Sequence, residues 1–271
     1  MSWWGKVLGG AFGFAMGGPI GAILGAVIGH QLDTGLKKAA QYDTLGGPGA
    51  SKERVQTAFF TTVFSVMGHL AKADGRVSET EIQMARTIMR QMQLDAQQQQ
   101  FAIDLFKKGK EPNFPLDDVI MQFKAECGRN RNLKQMFIEI LVYAAYADGT
   151  MHEAERHILV RICTRLGFSH AEFTEIERMV YAQQAFHGQR QGQQHYARPS
   201  RDLLKEAYDA LGVDAKASDS DIKKAYRRQM NQHHPDKLVA KGLPEEMIKL
   251  ANEKTQEIKA AYETIKKARG L

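Results

Sequence analysis

Residues 221–228 read D-I-K-K-A-Y-R-R, and residues 234–237 read H-P-D-K. Apolar side chains recur every four positions from Ile222 to Met230, so they lie on one face of a helix. The basic residues of the same stretch lie on a second face, which we call the basic face: Lys223, Lys224, Arg227 and Arg228. A helix of this kind packs through one face and offers the other to an acidic partner.

The residues that follow this helix are expected to be exposed. Proline disfavours helical geometry in the residue before it, so Pro235 predicts that the helix ends near His234. His234, Pro235 and Asp236, here called the HPD segment, then lie on a connecting loop between rigid helices, where binding residues are common. A short helix over 203–211 precedes this helix, and Ser218 to Asp221 has the pattern of a cap that opens it. A helix after Pro244 pairs with it as an antiparallel hairpin.

Four motifs in this order resemble a DnaJ-type J domain, which we place over 201–271. The motifs are A-Y-D-A-L-G-V at 207–213, D-I-K-K-A-Y-R-R at 221–228, H-P-D-K at 234–237 and A-A-Y-E-T-I at 260–265. The resemblance implies that His234, Pro235 and Asp236 engage the ATPase domain of an Hsp70 partner, DnaK, and stimulate its ATP hydrolysis. It also implies that the basic face binds an acidic Hsp70 surface. Clustered lysine and arginine also bind nucleic acid, but the adjoining HPD segment makes nucleic acid an unexpected partner.

Two features depart from the familiar DnaJ plan. The loop 238–243 after the HPD segment is longer than the resemblance leads us to expect, which makes it a candidate determinant of partner choice. The sequence also has neither a Gly/Phe-rich stretch nor a cysteine-rich zinc region. General holding of client proteins is therefore not expected.

The N-terminal part of the chain has the character of a membrane anchor. Residues 7–29 carry no formal charge, and a helix of that length spans about 35 Å against a hydrocarbon core of roughly 30 Å. Trp3 and Trp4 stand at one end, and the excess of lysine and arginine after the segment places the C-terminal side in the cytosol. The predicted segments are an N-terminal periplasmic tail over 1–6, a single transmembrane helix over 7–30 and a juxtamembrane linker over 31–54.

Glycine recurs every fourth residue in the anchor, a pattern that lets two helix backbones approach closely. We therefore predict a homodimer through the transmembrane helix, with part of the glycine row at the contact: Gly9, Gly13, Gly17, Gly21 and Gly25. The alternative is that glycine is merely frequent in membrane helices.

The middle of the chain, over 55–182, shows helical periodicity without a convincing strand. We predict seven helices there, so the fold class is all-α: an anchor helix, a helical domain and the C-terminal J-domain hairpin. Residues 183–200 are rich in Gln, Gly, His and Arg and lack an aliphatic period, which predicts a flexible linker.

The sequence A-D-G occurs twice in the helical domain, at 73–75 and 147–149. Glycine there can end a helix in the left-handed conformation. The functional alternative is a divalent cation held by two acidic pairs, Asp74 with Glu81 and Asp148 with Glu155. An EF-hand needs further oxygen ligands at alternate positions, which are absent, so we expect no metal. The domain resembles the TerB-like family, which implies an all-α module without an established enzymatic activity.

Composition limits the remaining possibilities. Cys127 and Cys163 are the two cysteines of the chain, too few for a disulfide scaffold, which favours a reducing compartment. We find no set of nucleophile, base and oxyanion donors, so an enzyme is not expected and no cofactor is predicted.

The order of parts resembles the membrane-anchored DnaJ-like proteins of Gram-negative bacteria. That resemblance implies a bacterial inner-membrane protein with a periplasmic N-terminus and cytoplasmic C-terminal domains, which recruits DnaK to the membrane and acts in envelope signalling linked to capsule polysaccharide synthesis. We predict that the TerB-like domain selects an unidentified membrane-associated client. The alternative is a membrane scaffold or metal-responsive sensor built on the TerB-like domain.

Overall fold

The protein was analysed as a computed structural model, which describes residues 16–32, 48–73, 75, 79–192 and 201–270. All regular structure in those residues is helical, so the all-α prediction is confirmed. The helices are α1 (Gly18–Leu32), α2 (Pro48–Leu70), α3 (Glu79–Gln91), α4 (Ala96–Gly109), α5 (Leu116–Cys127), α6 (Arg131–Ala145), α7 (Glu153–Leu166), α8 (His170–Gly192), α9 (Arg201–Leu211), α10 (Asp219–His233), α11 (Pro235–Ala240) and α12 (Ile248–Arg269), with a 3₁₀ turn at Glu245–Met247. Seven of them, α2 to α8, form the predicted helical domain.

Helix α2 is the centre of the TerB-like domain. Every residue from Val55 to Gly68 is buried, as expected of a helix that is covered on all sides. Phe59 packs on Phe123 of α5 with ring centroids 5.8 Å apart, and Phe123 packs on Phe137 of α6 at 4.5 Å. These aromatic contacts join three helices into one core.

Two glycines let α2 and α4 cross at backbone contact. A Cβ atom on Gly68 would lie 2.0 Å from the carbonyl oxygen of Phe106, and one on Gly109 would lie 1.7 Å from the carbonyl oxygen of Ser65. Real Cβ atoms are not found at such distances, so this crossing requires glycine on both helices.

The N-terminal helix differs from the uninterrupted helix predicted over 7–30. Gly17 and Gly18 have φ values of 57° and 62°, and two successive left-handed residues interrupt a right-handed helix. Helix α1 therefore begins at Gly18. The Gln122 side chain of α5 holds this break, because its Oε1 accepts from the Ile20 amide at 2.8 Å and its Nε2 donates to the Gly17 carbonyl at 3.0 Å.

The buried side chains of α1 pack against the TerB-like core, including Ile20 and Leu24, which are fully buried. Within the described ranges, no helix combines the length and the apolar character needed to cross a bilayer. Residues 1–15, with Gly9 and Gly13, lie outside those ranges. A side chain at Gly17 or Gly25 would meet no atom within 4 Å, and dimerisation through this row stays a prediction.

The J-domain helices α9, α10 and α12 share a small second core, to which Ala182 of α8 also belongs. Ile222, Ile258 and Ile265 are buried in it, and the rings of Tyr226 and Tyr262 stack with centroids 4.2 Å apart. The predicted helical hairpin is thus formed by α10 and α12.

Helix α8 continues through the first half of the stretch predicted to be a flexible linker. It extends to Gly192, whereas residues 193–200 lie outside the described part of the chain. Glutamine is a good helix former, and two glutamines here find partners on neighbouring helices. Gln183 donates to the Ala210 carbonyl at 3.2 Å, and Gln184 donates to the Tyr143 carbonyl at the same distance. These bonds order residues whose composition alone indicated a tether.

Candidate functional site: the HPD segment and the basic face of α10

The helix that carries the basic face starts at a well-formed cap. Ser218 has extended backbone geometry, and its hydroxyl accepts from the Asp221 amide at 3.2 Å. Asp219 and Asp221 stand in the first turn, where negative charge complements the helix dipole. This cap is the one that the sequence predicts, and it sets the register that separates the apolar face from the basic one.

The HPD segment is more ordered than a loop. Helix α10 ends at His233, His234 alone has extended geometry with φ −60° and ψ 121°, and Pro235 begins α11. Proline is favoured at the first position of a helix because its missing N–H would be unsatisfied there anyway. The proline that ends one helix thus starts the next, and His234 forms the whole junction between them.

The segment presents the Asp236 carboxylate and one edge of the His234 ring to solvent. The Asp236 side chain is 89% exposed and the His234 side chain is 45% exposed, with His234 Nδ1 lying 4.0 Å from Asp236 Oδ2. His234 Nδ1 itself is buried and has no hydrogen-bond partner among the described residues. The outer edge of the ring and the neighbouring carboxylate are therefore the groups that a partner would meet.

The four residues of the basic face are all exposed. Lys224 pairs with Asp221 on its own helix at 3.4 Å, and Arg228 lies 3.8 Å from Glu175 of α8. Lys223 and Arg227 form no ion pair within the described part of the chain. Surface ion pairs contribute little energy, so the whole face is available to an acidic partner.

The acidic candidates for a metal site serve local turns. Asp148 accepts from the Thr150 amide at 3.0 Å, and the buried Glu155 accepts from the His152 amide at 3.0 Å. Asp74 and the side chain of Glu81 lie outside what the structure describes. No group of three or more potential metal ligands occurs among the described residues.

A buried ionic cluster, which the sequence analysis did not find, lies directly before the HPD segment. Glu139 of α6 sits 3.0 Å from His233 Nε2 and 3.1 Å from Lys254 Nζ, and it accepts from Gln135 at 2.9 Å. Burial by itself would raise the pKa of the Glu139 carboxyl. The charges of His233 and Lys254, with the hydrogen bonds from His233 and Gln135, hold that pKa well below its ordinary value.

Nothing local could have revealed this cluster, because Glu139 and His233 are 94 positions apart. A lone glutamate in the apolar run I-E-I-L-V was the one available signal, since a charge is almost never fully buried unless it is paired.

Three family models match the chain in sequence order. Residues 1–39 match the co-chaperone DjlA transmembrane domain, residues 60–178 match the tellurite resistance protein TerB, and residues 206–269 match the DnaJ domain. The J-domain and TerB-like resemblances are thereby confirmed, and the match at the N-terminus identifies a membrane anchor.

Curated relatives match along the whole chain. A co-chaperone protein DjlA from Vibrio cholerae is 46% identical, with 100% of each chain covered, and one from Coxiella burnetii is 43% identical, also with 100% of each covered. One from Photobacterium profundum is 43% identical, with 99% of each covered. No solved structure matches. Because the three domains occur in order and relatives at this identity match over their full length, the chain belongs to the DjlA family of membrane-anchored J-domain co-chaperones.

Proposed function

We propose that this chain stimulates ATP hydrolysis by a membrane-recruited Hsp70, using the HPD segment and the basic face of α10. As a J-domain co-chaperone the protein has an Hsp70 partner and associates with the membrane. The observation that supports the finer proposal is the joint exposure of Asp236, His234 and the basic face on adjacent turns. From Arg227 to His234 the helix rises only about 10 Å, so one partner surface can contact both.

The two parts of this surface have different tasks. The basic face attracts an acidic surface on Hsp70 and raises the rate of encounter, an effect that weakens as salt increases. The HPD segment, held at the junction of two helices, then contacts the ATPase domain near its interdomain linker. All bond breaking takes place in Hsp70, so this chain acts as a regulator that binds and orients.

The experiment that tests the proposal is single-turnover ATP hydrolysis by the cognate Hsp70, with the full-length chain in nanodiscs. We expect the wild-type chain to accelerate hydrolysis and His234→Gln to abolish the acceleration. His157→Gln is a matched control, because the His157 side chain is 76% exposed on α7 and its ion contact is to Glu153 of the same helix. Equal rates with wild type and His234→Gln would refute the proposal.

The setting of this activity is part of the proposal. The chain would lie in the bacterial inner membrane with its N-terminus in the periplasm, dimerise through the anchor glycines, and bring DnaK to a membrane-associated client in envelope signalling linked to capsule polysaccharide synthesis. Accessibility of single cysteines introduced at Ser2 and at Ser200 to a membrane-impermeant reagent tests the orientation. Labelling of Ser200→Cys in intact spheroplasts would contradict it. No observation among the described residues favours a metal-responsive sensor.

A further inference from the structure

The HPD segment is held by the TerB-like domain on both of its sides. Immediately before it, the His233 ring is only 2% exposed and contacts Glu139 of α6. Immediately after it, Leu238 and Leu243 are fully buried and belong to the same apolar core as α2. The Leu243 carbonyl also accepts from the side chain of Gln56 on α2 at 3.4 Å.

The stretch 238–243, predicted to be a long loop, explains how this contact is reached. Its first three residues belong to α11, and the other three follow as a turn. At Gly242, with φ 101°, a Cβ atom would lie 2.5 Å from Val55 Cγ1 of α2. The backbone of this turn therefore packs directly on the Val55 side chain, and glycine is needed both for the close approach and for the conformation. Met247 and Ala251 extend the same buried contact along the chain. The segment 238–251, which runs from the second half of α11 into the first turn of α12, is thus the docking element.

Both ring nitrogens of His233 lie within hydrogen-bond distance of an oxygen. His233 Nδ1 lies 2.9 Å from the Gln229 carbonyl oxygen, and His233 Nε2 lies 3.0 Å from both carboxylate oxygens of Glu139. Each ring nitrogen thus faces an oxygen, one on its own helix and one on α6. The Glu139 carboxylate also lies 3.1 Å from the Lys254 ammonium, so a single side chain of α6 contacts both α10 and α12. Removing one partner of such a buried group leaves an uncompensated charge, so the contact ties the end of α10 to α6.

The docked arrangement leaves the proposed Hsp70 surface open. Asp236 is 89% exposed, and the basic face points away from the core. The contact with the TerB-like domain consequently fixes the backbone that carries the HPD segment without covering its side chains. A contact that masked the site would have buried Asp236.

We propose that Glu139 is a positioning residue through which the TerB-like domain holds the HPD segment in the geometry that stimulates Hsp70. The proposal rests on the proposed function and assigns the TerB-like domain a role in the stimulated step itself. Glu139 acts through His233, whose ring is the last side chain of α10 before the HPD segment. Without the carboxylate, the end of α10 gains freedom and the productive geometry is occupied for a smaller fraction of time.

The test separates docking from stimulation by titrating Hsp70 with full-length chain in nanodiscs under single-turnover conditions. Glu139→Gln keeps the volume and an acceptor for His233 but removes the charge. We expect its maximal stimulated rate to fall about fivefold, equivalent to about 1 kcal/mol at 1.36 kcal/mol per tenfold. The half-saturating concentration should stay within about twofold, because the basic face that governs encounter is unchanged.

The matched control is Glu177→Gln, which removes the charge of another carboxylate within the TerB-like domain. Glu177 pairs with Arg156 at 3.0 Å, and its side chain is 14% exposed. This pair lies away from the HPD segment, so its loss should leave the maximal rate unchanged. A second variant, Lys254→Met, removes charge from the J-domain side of the cluster and leaves every TerB-like residue intact. It should lower the maximal rate in the same direction.

Hydrogen exchange of the HPD segment gives a second readout on the same samples. We expect amides over 234–240 to exchange faster in Glu139→Gln than in wild type, while α2 and α6 keep their protection. Unchanged maximal rates and unchanged exchange in both Glu139→Gln and Lys254→Met, with stimulation by wild type intact, would overturn the positioning role alone. An equal loss in Glu177→Gln would also overturn it, because general destabilisation would then explain the effect. Absence of stimulation by wild type would overturn the proposed function and this proposal with it.

Discussion

Replacement of Gly68 by alanine tests the α2–α4 crossing. The sign of the change in folding stability shows whether the two helices are in backbone contact at this position. Helix propensity alone favours alanine over an interior glycine by about 1 kcal/mol. A Cβ at this position, however, would stand 2.0 Å from the Phe106 carbonyl oxygen. Nonbonded atoms pack at about 3.5 Å, so the two backbones would have to separate by roughly 1.5 Å.

Separating α2 from α4 costs free energy because it weakens the packing contacts between the two helices. A gap of 0.5–1 Å already forfeits roughly a quarter to a half of each dispersion contact, and overpacking a core costs about 1–3 kcal/mol. We take the upper end of that range, because the clashing atoms belong to rigid backbone. After the gain in helix propensity, the net loss is about 2 kcal/mol, or a fall in Tm of about 4–8 °C for a domain of this size.

The assay is thermal unfolding of full-length chain in detergent, followed by circular dichroism. Gly29→Ala on α1 is the control, because a Cβ there would meet no atom within 4 Å, and we expect its Tm to stay level or rise slightly. Gly109→Ala should fall as Gly68→Ala does, since its Cβ would lie 1.7 Å from the Ser65 carbonyl oxygen. A rise in Tm for Gly68→Ala would show that the two helices do not cross at this distance.

Two further predictions concern titratable groups in the core. Burial raises the pKa of the Cys127 and Cys163 thiols to about 12. Neither thiol should therefore react with a thiol reagent at pH 8 in the native chain, and both should react in urea. Rapid labelling of the native chain would contradict their burial. The lowered pKa of Glu139 stabilises the folded chain above the ordinary carboxyl pKa of 4.5 and ceases to do so as pH falls towards the lowered value. When pH is lowered from 6 to 3.5, hydrogen exchange over 238–251 should therefore accelerate relative to exchange in α2, after both are corrected for the intrinsic exchange rate. A constant ratio of the two corrected rates would refute the ionic contribution to docking.

The features that the sequence predicted well are those fixed by neighbours along the chain. The cap at Ser218, the helix end before Pro235 and the apolar face of α10 depend on residues within a turn or two of one another. The exposure of the HPD segment also followed, because the residue before a proline leaves the helix. The start of α11 at Pro235 was not predicted, because the apolar pattern that marks a helix is too short over the six residues of α11.

The features that were not predicted depend on contacts between distant parts of the chain. Gln183 and Gln184 are helical because carbonyls of α9 and α6 accept from their side chains, which composition cannot show. The break at Gly17 depends on Gln122, over a hundred positions away. Likewise, the partner of Glu139 could not be named without the fold.

The docking element at 238–251 has a consequence for attempts to exchange J domains between co-chaperones. A J domain grafted from another protein would bring the HPD tripeptide and a basic helix but not the leucines that fill the space beside α2. The chimera would then expose part of its TerB-like core, and the Glu139 carboxylate would lose its partners His233 and Lys254. A functional chimera therefore has to keep the contact residues of both domains together with the HPD tripeptide.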